Sequence, residues 1–404
     1  MESAIALFFF LGDTMNKNVF LLACCQGLIT TGNILLVTIS ALVGQRLSPS
    51  ESFTTFPVAM QMFGLLLATI PASWIMARVG RKVGFSIGNS MGLCGTILGF
   101  YSLQIDEFWL FSAATWLIGI GIGFATLYRF AAIEASDNAS TALSAVMASG
   151  VIAAILGPNM AVWVNHHYPH VNYANVFIAL SGLYIVALTL LQFVTFNEVK
   201  HKEKQAPTRA WRVIVTQPKF IIAVLVAMVS YSTMNLLMTA TPLAMHRHGF
   251  DLAESALVIE WHVLGMFVPS FFTGKLIQRI GQLPVMYGGI LLIIACCIVN
   301  LFGVTHLHFL FALMLLGVGW NFMFISATQM VSETYLPAER AKAQATNEFC
   351  VYSMVTFSSL FAGWLESSLG WQAMNWMVFA VLMLIAFGIL TRLRVSKSKQ
   401  VEAS

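Results

Sequence analysis

Ser73-Trp74-Ile75-Met76-Ala77-Arg78-Val79-Gly80-Arg81-Lys82 reads as a short basic turn between apolar stretches, and the chain repeats it as Gly274-Lys275-Leu276-Ile277-Gln278-Arg279-Ile280-Gly281. Gly64, Ser73, Arg78, Gly80 and Gly88 are answered by Gly265, Gly274, Arg279, Gly281 and Gly289, each 201 residues further on. The register survives away from the turn. Thr31-Gly32-Asn33-Ile34-Leu35 is answered by Thr233-Met234-Asn235-Leu236-Leu237 at an offset of 202, and Leu117, Gly119 and Gly121 by Leu315, Gly317 and Gly319 at 198. Chance likeness between apolar segments would not keep a charged turn in step, so the pattern implies duplication of one unit.

The stretches around these turns are too apolar for water. Of 404 residues 58% are hydrophobic and 9% charged, with a mean hydropathy of +0.80, whereas soluble domains carry about 25% charged residues. Such a chain is solvated by lipid, and its long apolar runs predict helices, not a barrel. Breaks at charged and turn-forming residues predict an all-α membrane protein of twelve spans, near 18–45, 54–77, 83–104, 109–133, 141–165, 174–196, 219–245, 255–278, 284–304, 308–332, 341–366 and 371–393. They form two six-helix bundles, 18–196 and 219–393, joined by a polar linker at 197–218 and flanked by tails at 1–17 and 394–404. The apolar run Ala4 to Leu11 lacks a basic leader and a cleavage site, and predicts an uncleaved tail.

An even number of spans puts both termini on one side, and the positive-inside rule chooses the cytoplasm. In that orientation only Arg46 and Arg247 of the 21 Lys and Arg residues fall in outer loops. The expected location is a bacterial inner membrane. Asn138-Ala139-Ser140 matches a glycosylation acceptor but falls on the cytoplasmic side. The six cysteines lie in apolar runs and read as buried thiols, and histidines such as His166, His170, His246 and His306 sit in or beside outer loops without ligand spacing. Neither a metal site nor another cofactor is expected. The dispersed basic residues give no footprint for nucleic acid.

With turns and repeat in view, the chain resembles the major facilitator superfamily. Ser73 to Lys82 is similar to that family's loop 2–3 signature, G-x-x-x-D-R-x-G-R-R; Gly274 to Gly281 is similar to its second copy, and Glu333 with Pro337-Ala338-Glu339-Arg340 to its loop 10–11 pattern. The resemblance implies two bundles that rock about a central site lined by spans one, four, seven and ten. Two departures stand out. Ala77 and Gln278 replace the family's loop acid, so the cytoplasmic latch must be altered or carried by another acid such as Glu134 or Glu348. Span five, with Gly150, Ala153, Gly157 and Pro158, resembles a degraded drug–proton antiporter motif whose small residues also permit close packing. Glu260-Trp261-His262-Val263-Leu264-Gly265-Met266-Phe267, followed by Pro269-Ser270-Phe271-Phe272-Thr273-Gly274, is similar to a bacterial subgroup that includes riboflavin uptake permeases of the RfnT type.

Polar residues inside spans nominate the solute path. Gln26, Thr30 and Asn33 share one face of span one, and Tyr231, Asn235 and Met238 one face of span seven. The resemblance adds Tyr128, Trp320, Asn321 and Thr328. Arg129 invites an ion pair with Glu134 or Glu348. Glu348 is either the gate partner of Arg78 or Arg81 or a proton carrier. Glu260 and His262 point in nearly opposite directions from one helix, each as a protonatable group or as vestibule lining. The cavity so described is apolar, with amide, hydroxyl and aromatic groups, and suits a planar organic solute.

No Walker motif is present, so the expected driving force is an ion gradient, with protons as the coupling ion; no metal cluster or nucleophile–base pairing points to an enzyme, and the expected protein is a monomeric secondary transporter. Uptake is favoured over export because the antiporter motif is degraded. A receptor or scaffold that kept the fold is the alternative from another class.

Overall fold

The computed structural model describes residues 16–136, 139–168, 173–196 and 209–401. The expectations for the first fifteen residues, Asn138, His170 and most of the linker fall outside them. Among the described residues all regular structure is helical: α1 Lys17–Leu47, α2 Phe56–Val79, α3 Arg81–Gln104, α4 Phe108–Ala125, α5 Tyr128–Glu134, α6 Ala139–His167, α7 Ala174–Gln192, α8 Trp211–Val215, α9 Pro218–Arg247, α10 Leu252–Phe267, α11 Ser270–Ile280, α12 Gln282–Phe302, α13 His306–Ser332 and α14 Arg340–Val401. Single-turn 3₁₀ helices at Glu51–Phe53 and Pro337–Glu339 precede α2 and α14.

Ten helical segments among the described residues are long and apolar enough to cross a membrane, and α10 with α11, bent by 42°, makes an eleventh. Span eight is therefore broken where the sequence read it as continuous. Pro269 stands at the break and brings no amide hydrogen to the helix ladder. Span four is likewise interrupted between α4 and α5, where the Thr126 hydroxyl bonds back to the Gly123 carbonyl at 2.8 Å. The two basic turns end one helix and begin the next within a single residue. Gly80 at φ +85° and Gly281 at φ +91° make that possible, since only glycine adopts this backbone without strain. Gly370, at φ +80°, breaks α14 in the same way.

Each half has its own core. One joins residues of α1 to α7, with Phe85, Phe111, Tyr128, Phe177 and Tyr184 its largest buried side chains. The other joins residues of α8 to α10 and α12 to α14 around Ile293, Phe309, Leu316 and Met374, with Met62 of α2 reaching into it. The repeat is visible as packing. A Cβ on Gly119 would collide with the Gln61 carbonyl oxygen, and one on Gly317 with that of His262, the residue 201 positions after Gln61. Gly121 would meet the Gly88 carbonyl oxygen at 2.8 Å, and Gly319 that of Gly289 at 2.9 Å. In both halves the fourth predicted span thus lies against the second and third at backbone contact. Span five uses its small residues similarly: a Cβ on Gly157 would crowd Ile34 of α1 at 2.9 Å, and one on Gly150 the Phe267 ring at 2.7 Å.

The basic ends of both halves are tied by matching contacts. Arg81 pairs with Glu134; in the second half Glu333 receives both Gln282, the counterpart of Arg81, and Lys219. Glu134 thus serves the loop whose own acid became Ala77. The end of the linker is fastened to the second half. Fully buried Glu339 accepts from Arg209 Nε at 2.9 Å and Nη2 at 2.7 Å, and from the backbone N–H groups of Arg209 at 2.8 Å and Leu336 at 3.0 Å. The Arg209 guanidinium first, and the Leu336 N–H next, hold the Glu339 carboxyl down from its ordinary 4.5 to about 2.

Gly119→Val and Gly317→Val should each cost roughly 1–3 kcal/mol, as overpacked cores do, lowering the detergent melting temperature by similar amounts. Glu339 contributes stability above its ordinary pKa and loses it as pH falls from 4.5 towards 2. Glu339→Gln should therefore lower the melting temperature at pH 7 and flatten its decline in acid, both read by thermal shift across pH.

Candidate functional site

The site lies where α5 of the first half meets α9, α13 and α14 of the second, near the middle of α9 and α13. Tyr231 on α9 is ringed by aromatic side chains. Its ring centroid lies 5.4 Å from Trp320, 5.5 Å from Phe324 and 5.9 Å from Tyr352. Trp320 and Phe324, one helical turn apart on α13, stack at 5.0 Å and 11°. Such edge-to-face and offset contacts are the favoured geometry of aromatic clusters. Arg129 of α5 faces this cluster and meets Glu348 of α14 at 3.7 Å, an ion pair across the two halves. Both side chains are partly exposed, 45% and 32%, so the pair is loose and can exchange partners. Arg129 lies within electrostatic reach of Tyr231 and Tyr352, and Glu348 of Tyr352.

Three polar groups here are uncommitted. The Trp320 Nε1 hydrogen is buried without an acceptor among the described residues. The hydroxyls of Tyr231 and Tyr352 make no hydrogen bond to a described residue, whereas Tyr128 and Tyr287 do. Buried polar groups in folded proteins are nearly always satisfied, so the orphaned Trp320 N–H among stacked rings marks a place where a partner from outside fits. Gln26, Thr30 and Asn33 occupy one half-buried face of α1, with the Gln26 amide donating to Thr30 at 3.0 Å. Asn33 accepts from Gln61 of α2 at 2.6 Å, and the buried Oε1 atoms of Gln26 and Gln61 are unpartnered among the described residues.

Other expected site residues are engaged by neighbouring helices. Tyr128 is fully buried, stacks on Phe85 at 4.0 Å and accepts from Asn89 at 3.0 Å. Asn235 donates to Ser358 at 3.0 Å and Ser359 at 2.7 Å, joining α9 to α14. Asn321 accepts from Thr273 at 2.6 Å and donates to the Met266 carbonyl at 2.7 Å and Ser270 at 2.6 Å, bracing α13 against the broken span. These three are interhelix ties, because a buried amide or phenol must be satisfied by its nearest neighbours. His262 is a further correction. It is fully buried inside the second half, with Nδ1 2.8 Å from the Leu313 carbonyl, and so lines no vestibule. Glu260, on the opposite face, accepts from Asn159 of α6 at 2.7 Å, a contact between halves. Thr328 is exposed.

The gate assignments shift as well. Glu348 pairs with Arg129 rather than with Arg78 or Arg81. Arg78 instead lays its guanidinium 3.6 Å over the Trp74 ring. Phe324 and Tyr352 were not singled out from the sequence. Each stands one helical turn beyond a residue that was, Trp320 and Glu348, and the i, i+4 rule is the signal that reaches them.

Comparison with known proteins agrees with this architecture. The family model of the Major Facilitator Superfamily matches residues 19–298 and 224–404. The chain belongs to the major facilitator superfamily. It is 37% identical over 383 residues to the riboflavin transporter RfnT of Brucella anthropi, covering 94% of this chain and 96% of that one. It is 27% identical over 329 residues to the uncharacterized MFS-type transporter YddS of Bacillus subtilis, covering 77% and 76%. Among solved structures it resembles the nucleoside transporter NupG, in a mutant form, with a TM-score of 0.71 at 14% identity, over 92% of this chain and 99% of that one. A mutant form of the E. coli fucose:proton symporter FucP matches at 0.61 and 16%, over 91% and 97%. Family and sequence relatives together make the protein a multi-pass membrane transporter of a small molecule, not an enzyme.

Asn321→Ala should lower the melting temperature, since it strands buried partners at about 1–3 kcal/mol each. Tyr352→Phe should leave that temperature unchanged and act only on solute binding, a contrast that thermal shift with and without solute reads directly.

Proposed function

We propose that the chain is a twelve-span secondary transporter of a bacterial inner membrane that imports a planar aromatic solute together with protons by alternating access. Dividing α14 at Gly370 and counting α10 with α11 as one bent span gives the twelve. Residues 18–196 and 219–393 are then the two bundles, with both termini and the basic turns in the cytoplasm. The observation that carries the substrate class is the cluster of Tyr231, Trp320, Phe324 and Tyr352 with its uncommitted phenol and indole groups. Rings supply the stacking faces, and the orphaned donors suit the ring carbonyls and nitrogens of a heteroaromatic solute.

Gln26, Thr30 and Asn33 form the opposite wall from the first half. Arg129 and Glu348 close the site between the halves, and Glu348 is the carboxylate that takes up the coupling proton. A proton on Glu348 would free Arg129, so binding and the contact between halves are coupled through one pair. Tyr128, Asn235 and Asn321 hold the helices that carry these walls, and Arg78 and Arg81 shape the cytoplasmic turn. Because a relative at 37% identity carries the name of a riboflavin transporter, a flavin is the first solute to test.

Purified protein in proteoliposomes should accumulate labelled riboflavin under an inward proton gradient and lose that accumulation on adding a protonophore. Trp320→Ala should raise KM about tenfold, as loss of roughly 1–1.5 kcal/mol of stacking predicts. Glu348→Gln should retain solute exchange but lose gradient-driven accumulation. Accumulation by Glu348→Gln equal to the unaltered protein would place coupling elsewhere, and an absence of flavin flux in either direction would remove the substrate assignment.

A further inference from the structure

At the end opposite the basic turns the two halves close on one another, and one cation sits at the seam. Arg247, the last residue of α9, reaches Glu366 of α14 at 3.3 Å within its own half and Glu51 of the first half at 3.6 Å. The two carboxylates differ sharply. Glu366 is 4% exposed and Glu51 is 78% exposed. Beside them the Thr55 hydroxyl accepts from the Gly363 N–H at 3.0 Å, binding the start of α2 to α14. A cavity of about 270 Å³ opens at the same seam, lined among others by Gln45, Glu51, Arg247 and Glu366. His248 is the remaining charged or titratable group facing Glu366.

We propose that Arg247 is the lock of this end of the transport path, with Glu366 as its permanent partner and Glu51 as the partner that opening removes. A buried carboxylate left without its counter-charge is strongly destabilising, so Arg247 and Glu366 stay together when the halves part. The exposed contact to Glu51 is weak, as surface ion pairs are. Of the two charge contacts opening then breaks only the exposed one, and no buried charge is stranded. The cavity beside the pair gives the guanidinium room to leave Glu51 while it keeps Glu366. The lock presupposes the alternating-access cycle proposed above, although it makes no claim about solute or coupling ion.

The test measures the conformational equilibrium without solute or gradient, so that a failure of flux and a failure of the lock are read separately. Spin labels at His166 and Phe302, exposed positions on different halves at this end, are introduced after replacing the native cysteines. Distances are then recorded by pulsed electron resonance in nanodiscs. Glu51→Gln should raise the open-to-closed ratio about two- to fivefold, the range for an exposed pair, and Glu51→Arg should raise it further. High salt should mimic Glu51→Gln in the unaltered protein and add nothing to that variant. Asp106→Asn, which removes an outer pair made within one half, should change nothing. Glu366→Gln should lower thermal stability without opening the seam as Glu51→Gln does. Unchanged distances in both Glu51 variants overturn the lock, and opening in Glu366→Gln equal to that in Glu51→Gln overturns the division of roles.

Discussion

Backbone carbonyls in lipid have no water to turn to, so helices that must stay together do so by close approach, and here that approach is made at glycine. The Gln61 and His262 carbonyls press against Gly119 and Gly317, and the Gly88 and Gly289 carbonyls against Gly121 and Gly319. Lipid offers no hydrophobic drive between helices, which leaves van der Waals contact and hydrogen bonds to hold them. Two backbone contacts of this kind in each half make it a firm unit. The amide ties of Asn89, Asn235, Asn300 and Asn321 then fasten the remaining helices.

Against this rigidity the contacts between halves are of another kind. Small apolar side chains meet where Ile34, Ala153 and Ala154 touch Ile259 and Val263. The charged and amide contacts are partly exposed, Arg129 with Glu348, Arg247 with Glu51, and Asn159 with Glu260, while the Gly363 N–H to Thr55 bond is buried. The ion pairs between halves are thus the weak kind that water can replace. The aromatic cluster sits on the second half, facing the first across Arg129 and Glu348.

Much of the fold was legible because its causes are local or periodic. Hydropathy gave the long helices, and constant offsets gave the repeat that the paired glycines later embodied. The break at Pro269 was not foreseen, since a single proline in an apolar run is compatible with either a kinked or a continuous span. The site was legible only in part. Tyr231, Arg129 and Glu348 were reached from polarity within spans and Trp320 from the family resemblance, and they do come together. Tyr128, Asn235, Asn321 and His262 share that polarity and serve a different end, because a polar side chain in a helix can face a neighbouring helix as easily as a cavity. Glu366 passed as a mere span boundary, its burial invisible until α9 and the Glu51 turn lay against it.

By itself, then, the sequence determined what depends on composition and interval: a lipid-solvated helical chain, its duplication and its basic turns. The family resemblance added that an acid is missing at Ala77 and Gln278. Tertiary structure decided what depends on which faces meet. It paired Arg81 with Glu134 and brought Glu333 to Gln282 and Lys219, turned several of the polar residues inward as ties, and gathered residues from α5, α9, α13 and α14 around one aromatic cluster. The physical reason is that helical periodicity fixes the direction of a side chain from its own axis, while the neighbour it meets is set by packing between segments hundreds of residues apart.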